Sequence, residues 1–371
     1  MRVKLLYNVY LTRGMLFILL NACVERVDFK VPSAQLRTTI EGLISDSPGP
    51  YFVKISEGIN LNADSLVRVP VTNAKITLHD DEGNIEEFLE TSQGDYSTGG
   101  VIRGKVGHRY YIHVETADGK IFESEPDKIT SVGEVENIRF EYETRSVEEK
   151  FGIVSADIFN IYIDSKGFAI GEENYVRWRF TGTYKVLTYP ELHFIWSEGF
   201  ILPDPYPCSG YAFIGRTYAE KVHECTCCEC WANNYESAPQ LSDAQLVSNG
   251  VFKNVKVGEV PISSATFYEK YNVRVEQMSL SKTAFEFFKA VRSQKNGATS
   301  LFQPPSGEIK GNVKSLNSSP VIGIFWASSI RTKSVFINRS DVPYPLTPIA
   351  QIRYPCTWYK NSSTDKPAFW D

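Results

Sequence analysis

No run of 18 or more apolar residues occurs anywhere in the 371-residue chain, which excludes a protein built on several membrane-spanning helices. Positive charge is also scarce. Lys and Arg number 39 against 44 Asp and Glu, a net charge of -5, so no cationic excess exists to neutralise a nucleic-acid backbone. Only five histidines are present, none in an H-E-x-x-H pattern, and neither G-x-S-x-G nor a phosphate-cradling glycine loop is found. Internal repeats and low-complexity tracts are absent too. With no familiar catalytic constellation, the expectation is a protein that is not an enzyme and needs no cofactor. What the chain does hold is core-forming material. Hydrophobic residues make up 42%, including 22 Phe, 20 Tyr and 6 Trp, which excludes a disordered chain and suffices for two domains.

The first 22 residues read as an export signal. Arg2, Lys4 and Arg13 form a basic n-region, and Gly14 to Leu20 (GMLFILL) a short apolar h-region. Leu20-Asn21-Ala22-Cys23 then has the order of a lipobox. The small Ala22 lets a signal peptidase reach the bond, and the thiol of Cys23 accepts the diacylglyceryl group. Each acyl CH₂ buried in a bilayer contributes about 0.8 kcal/mol, so Cys23 is the expected lipidation site and anchor. Cleavage leaves 36 basic against 44 acidic residues, a net charge of -8. Residues 23–35 read as a lipidated tether. No Asp follows Cys23 directly, which favours the outer membrane over inner-membrane retention.

The mature chain reads as mainly β. Residues 36–130 consist of short alternating runs split by Gly, Pro, Asn and Asp, for example Tyr51 to Ile55, Ala74 to Leu78 and Arg109 to Thr116. Asp80-Asp81-Glu82-Gly83-Asn84 is a hairpin turn and not a carboxylate pair; His113 falls on a strand; Asn60 to Asp64 is a polar loop lacking the glycine and distal Glu of a calcium site. The pattern predicts an N-terminal immunoglobulin- or transthyretin-like β-sandwich. Residues 131–342 predict a second β-rich domain. It carries an insertion from about 189 to 310, Pro-, Cys- and aromatic-rich as far as Gly250. One packed helix is expected, capped by Ser281, with Ala284, Phe285, Phe288 and Val291 on its apolar face and Gly297 as its stop. Residues 343–371 form a Pro-rich C-terminal tail.

The segment His223-Glu224-Cys225-Thr226-Cys227-Cys228-Glu229-Cys230 is the most distinctive. Reduced, His223 and the four thiols of Cys225, Cys227, Cys228 and Cys230 could hold zinc or copper(I), the alternative metal-handling reading. An exported chain meets an oxidising compartment, which favours disulfides among Cys208, Cys225, Cys227, Cys228, Cys230 and Cys356. Adjacent Cys227 and Cys228 point apart on an extended backbone and suit different partners. The tail after Asp341 contains Pro343, Pro345, Pro348 and Pro355, so it can neither join a central strand nor form a helix, and a bridge from the cluster to Cys356 is the expected restraint.

An ordered set of short motifs runs over nearly the whole mature chain. It includes Ile40 to Ile44, Gly94-Asp95-Tyr96, Gly104 to Tyr111, Tyr175-Val176-Arg177-Trp178, Cys230-Trp231, Tyr271 to Gln277, Gly323 to Ser329 and Lys366 to Trp370. In these the chain resembles the outer-membrane lipoproteins of Bacteroidota grouped as domain of unknown function 4249. The resemblance implies a lipoprotein, often encoded beside TonB-dependent receptors, with no enzymatic activity established for the family. The chain departs from that pattern in its dense cysteine cluster and in having one terminal cysteine, Cys356, where relatives often carry a pair. The function expected is a non-catalytic accessory, or ligand-capture, partner of a TonB-dependent receptor, held at the outer membrane on its periplasmic or cell-surface face. A surface hydrolase with a dispersed site is a further alternative.

Overall fold

Alternating polarity becomes strand over most of the chain. The computed structural model describes residues 37–58, 68–149, 152–167, 175–214, 218–242, 247–248, 250–297, 309–347 and 351–371. The signal peptide, the tether with Cys23 and the polar loop Asn60 to Asp64 lie outside the described residues. Nine strands come first: β1 (Thr38–Ser45), β2 (Phe52–Glu57), β3 (Val69–Pro70), β4 (Lys75–Asp80), β5 (Ile85–Ser92), β6 (Asp95–Thr98), β7 (Arg109–Glu115), β8 (Ile121–Ser124) and β9 (Asp127–Lys128). Three long strands follow, β10 (Val135–Glu149), β11 (Gly152–Lys166) and β12 (Tyr175–Leu187). The cysteine-rich stretch adds β13 (Phe194–Ser197), β14 (Phe200–Pro203), β15 (Tyr211–Ile214), β16 (Tyr218–Lys221), β17 (Glu229–Tyr235), β18 (Gln240–Leu241) and β19 (Val247–Ser248). Then come β20 (Val251–Pro261), β21 (Lys270–Leu280), helix α1 (Lys282–Gly297), β22 (Val313–Ser315), β23 (Val321–Ser328), β24 (Ile330–Asn338) and β25 (Ser362–Ser363). The protein is mainly β with one described α-helix.

The first sheet has 11 strands, ordered β22-β8-β7-β4-β5-β6-β2-β1-β23, with β3 and β9 attached at β2 and β7. In β7, Tyr110, Ile112 and Val114 point inward and are buried, while His113 faces out beside Glu115 and Glu123. Asp80 Oδ1 accepts from the amides of Glu82 and Asn84, which closes the β4–β5 turn where the sequence placed one. An immunoglobulin- or transthyretin-like sandwich would keep its two layers as separate hydrogen-bonded sheets; here the same strands form one sheet that curls until its edges meet. The reason is non-local. Strand β23 runs parallel to β1, Thr38 opposite Val321 and Ser45 opposite Ser328. Strand β22 pairs with β8 at the other edge. The Asn312 side chain then bridges the gap, donating to Phe325 O at 2.6 Å and accepting from Phe325 N at 2.9 Å. At this seam a Cβ on Gly311 would lie 1.6 Å from Gly323 O, so only glycine fits.

The remaining strands form two larger sheets, β10-β11-β20-β19 and β24-β21-β12-β17-β25, with β18 also on β12, and two hairpins, β13-β14 and β15-β16. Their facing residues share one core, which includes Phe159, Ile161, Trp178, Phe180, Val257 and Val273. Helix α1 is built as its sequence suggests: Ser281 Oγ accepts from Ala284 N at 3.2 Å, and Ala284, Phe285 and Phe288 are buried. Its apolar face meets Met278 and Leu280 of β21 and Ile324 and Trp326 of β23, so it packs over the junction between the first and third sheets. Within the first sheet, Asp127 of β9 accepts from Ala327 N of β23 at 2.9 Å; burial pushes its carboxyl above the ordinary range. Among the described residues, no helix is long and apolar enough to cross a membrane.

Candidate functional site

The cysteine-rich stretch is a cross-linked knot. Cys208 bonds Cys227, Cys225 bonds Cys228, and Cys230 bonds Cys356, with Cα separations of 5.7, 5.8 and 5.7 Å. The neighbours Cys227 and Cys228 serve different partners, and the cluster is tied to the tail. This pairing leaves no thiolate at Cys225, Cys227, Cys228 or Cys230 for the alternative metal set, and His223 Nδ1 instead contacts Glu224 O at 2.7 Å. Among the described residues, no three His, Cys, Asp or Glu side chains gather to hold a metal ion.

The knot presents an apolar hairpin. Strands β13 and β14 pair Trp196 with Ile201 and Ile195 with Leu202 around the turn Glu198-Gly199. Both turn residues have positive φ, 48° and 83°, the mirror-image turn that suits a two-residue hairpin, and glycine takes the second place. The register puts Phe194, Trp196 and Ile201 on one face and Ile195, Phe200 and Leu202 on the other. All six are 41–70% exposed, so both faces of the hairpin are apolar and open. Its base is held: Asp204 N donates to His193 O at 2.9 Å, and Arg353 sits 4.9 Å over the Phe194 ring. Tyr354 and Trp358 of the tail stack beside Tyr206.

A cleft lies elsewhere, between the outward faces of β1–β2 and of β12–β21. It comprises two adjoining cavities of about 830 and 500 Å³ that share Glu41, Arg68 and Arg179. Alternation along β12 sends Val176, Trp178 and Phe180 into the core and leaves Arg177 and Arg179 on the cleft side. Across the strand pair, Glu276 lies opposite Arg179. Its carboxylate accepts from Arg179 Nε at 2.5 Å and from Arg274 Nη2 at 2.9 Å, so two guanidinium groups share one negative charge. Arg177 pairs with Glu236 and stacks 4.2 Å over the Phe288 ring. Its Nε is buried with no hydrogen-bond partner among the described residues. Arg68 is exposed and makes no ion pair among the described residues. Leu43, Phe52, Trp326 and Ile330 supply apolar lining.

Residues 24–334 match the family described as Domain of unknown function (DUF4249). The chain belongs to that family. The match covers most of the DUF4249 chain, including β1 to β23 and the helix, and stops within β24, before the tail that bears Cys356. No curated protein matches the sequence. Sequence reasoning marked the cysteines of this DUF4249 protein but not its cleft. The available signal was the repeated charge at alternate positions, Arg177 with Arg179 and Arg274 with Glu276; Arg68 had none, because it stands outside any strand, just before β3.

Proposed function

We propose that this protein is a non-catalytic, lipid-anchored outer-membrane protein that captures a ligand and docks with a TonB-dependent receptor. Cys23 supplies the anchor, and the curled first sheet serves as the interaction module that an immunoglobulin- or transthyretin-like sandwich would provide. The observation that carries the docking half is the β13–β14 hairpin. An apolar surface open on both faces points to a partner that encloses it. The hairpin is a two-stranded sheet, so its outer edges have no strand partner among the described residues. In hydrocarbon each unpaired backbone group would cost several kcal/mol, so lipid is a poor occupant. A protein partner adding a strand satisfies both the edges and the apolar faces.

The test is affinity recovery from outer membranes solubilised in several mild detergents. The wild-type chain should bring down a large β-barrel receptor. The variant combining Trp196→Ser and Phe200→Ser should stay membrane-bound but lose it, and Cys23→Ala should partition into the aqueous phase. Lipidated chain recovered alone from every detergent would reject the docking reading, and wild type in the aqueous phase would reject the anchor.

A further inference from the structure

We propose that the cleft between β1–β2 and β12–β21 binds a small ligand carrying an oxyanion, carboxylate or phosphate, on an apolar body. Arg68, Arg179 and Arg274 would take the charged end. The argument begins with charge. The two cavities gather six cationic side chains against four carboxylates in a chain whose net charge is -5. A local positive excess on an acidic protein focuses an anion into the site. Several of the cations are underused. Glu276 is divided between Arg179 and Arg274, and each is bonded to it through one nitrogen of a five-donor fork. Arg68, at the place where the cavities join, is uncommitted among the described residues. Guanidinium forks match carboxylate and phosphate oxygens in geometry as well as charge.

The rest of the cleft sets the other half of the ligand. Trp326 and Ile330 line one cavity and Phe287 and Phe288 the other, so an apolar body finds surface on either side of the arginines. Pockets of about 300–1,000 Å³ suit small molecules. The floor is rigid, since Trp326 is 4% exposed and packs edge-on against Phe288 at 5.0 Å. Glu276 holds Arg179 and Arg274 in place before a ligand arrives, which lowers the ordering cost of binding.

The proposal rests on the ligand-capture half of the reading above, and its test needs no receptor. Calorimetric titration of the full lipidated chain in neutral detergent uses 3-phenylpropanoate, phenyl phosphate and the uncharged 3-phenylpropanamide. Saturable binding of at least one anion is expected, at least about tenfold tighter than the amide, and weakening as salt rises. The ratio of the two anions tells carboxylate from phosphate. Arg68→Gln, at an exposed position, should raise Kd about tenfold, and Arg68→Lys should recover part of the loss. The hairpin variant should bind like wild type, so loss of the receptor and loss of the ligand are separate results. Equal affinity for amide and anions, no saturable binding of either anion, or an unchanged Kd in Arg68→Gln would overturn the proposal.

Discussion

Asp46, just past the end of β1, shows how a single residue ties distant strands. Its Oδ1 accepts from Ile330 N at 2.9 Å, and its Oδ2 from Ser329 Oγ at 2.6 Å and Arg331 Nη1 at 2.8 Å. Burial alone pushes this carboxyl up, but the hydrogen bonds from Ser329, Arg331 and the Ile330 amide outweigh it and hold it below the ordinary value of 3.8. A carboxylate with a depressed folded pKa contributes stability that is present above the unfolded value of about 3.9 and lost as pH falls through the folded one. Asp46→Asn should therefore cost about 1–3 kcal/mol at neutral pH, and it should flatten the acid limb of a urea-stability profile below about pH 4. An acid limb identical to wild type would assign the limb to other carboxylates. The same scale shows what was legible in the site. Arg177 and Arg179 could be read as one face of a strand, since alternation is local. Nothing local says that Arg68 and Glu41 face them.

Elements were legible to the extent that their signals lie within a few residues. Helix α1 is marked by its cap and by apolar residues at three- and four-residue spacing, and the structure places Ser281, Ala284, Phe285 and Phe288 in those roles. Val321 to Ala327 was equally readable as a strand, but its place beside β1 was not, because a strand edge presents the same amides and carbonyls to any neighbour. The seam it forms makes a sharp prediction. Gly311→Ala places a methyl group into Gly323 O, against backbone that cannot rotate away. Forced overpacking of this kind costs about 1–3 kcal/mol or more. The midpoint of urea unfolding should fall at unchanged slope, whereas a variant as stable as wild type would show that the seam opens without cost.

For the molecule, the largest single restraint is the Cys230–Cys356 bridge, which spans 126 residues and is fully buried. It holds a tail whose described strand lies at a sheet edge: β25 pairs with β17, and Trp370 is buried against Trp231 and Phe336. A loop of that length is worth about 4–5 kcal/mol in the chain-entropy model. Cys356→Ser should therefore lower the denaturant midpoint clearly, with exposure of Trp370 to acrylamide quenching. Thiol titration of unfolded, unreduced wild type should find almost no free thiol, and four per chain would remove the disulfide assignment. By itself the sequence determined the mainly β class, the capped helix, the crowded cysteines and the prolines that bar the tail from a sheet's interior. Each of these follows from forces acting between near neighbours: side-chain alternation, capping, backbone sterics. Only the tertiary structure decided that the first sheet closes on a strand from the far end of the chain, which cysteines meet, and that four arginines converge on one cleft. Those outcomes depend on which buried faces fit together, and a strand's own residues do not encode the identity of its distant neighbour.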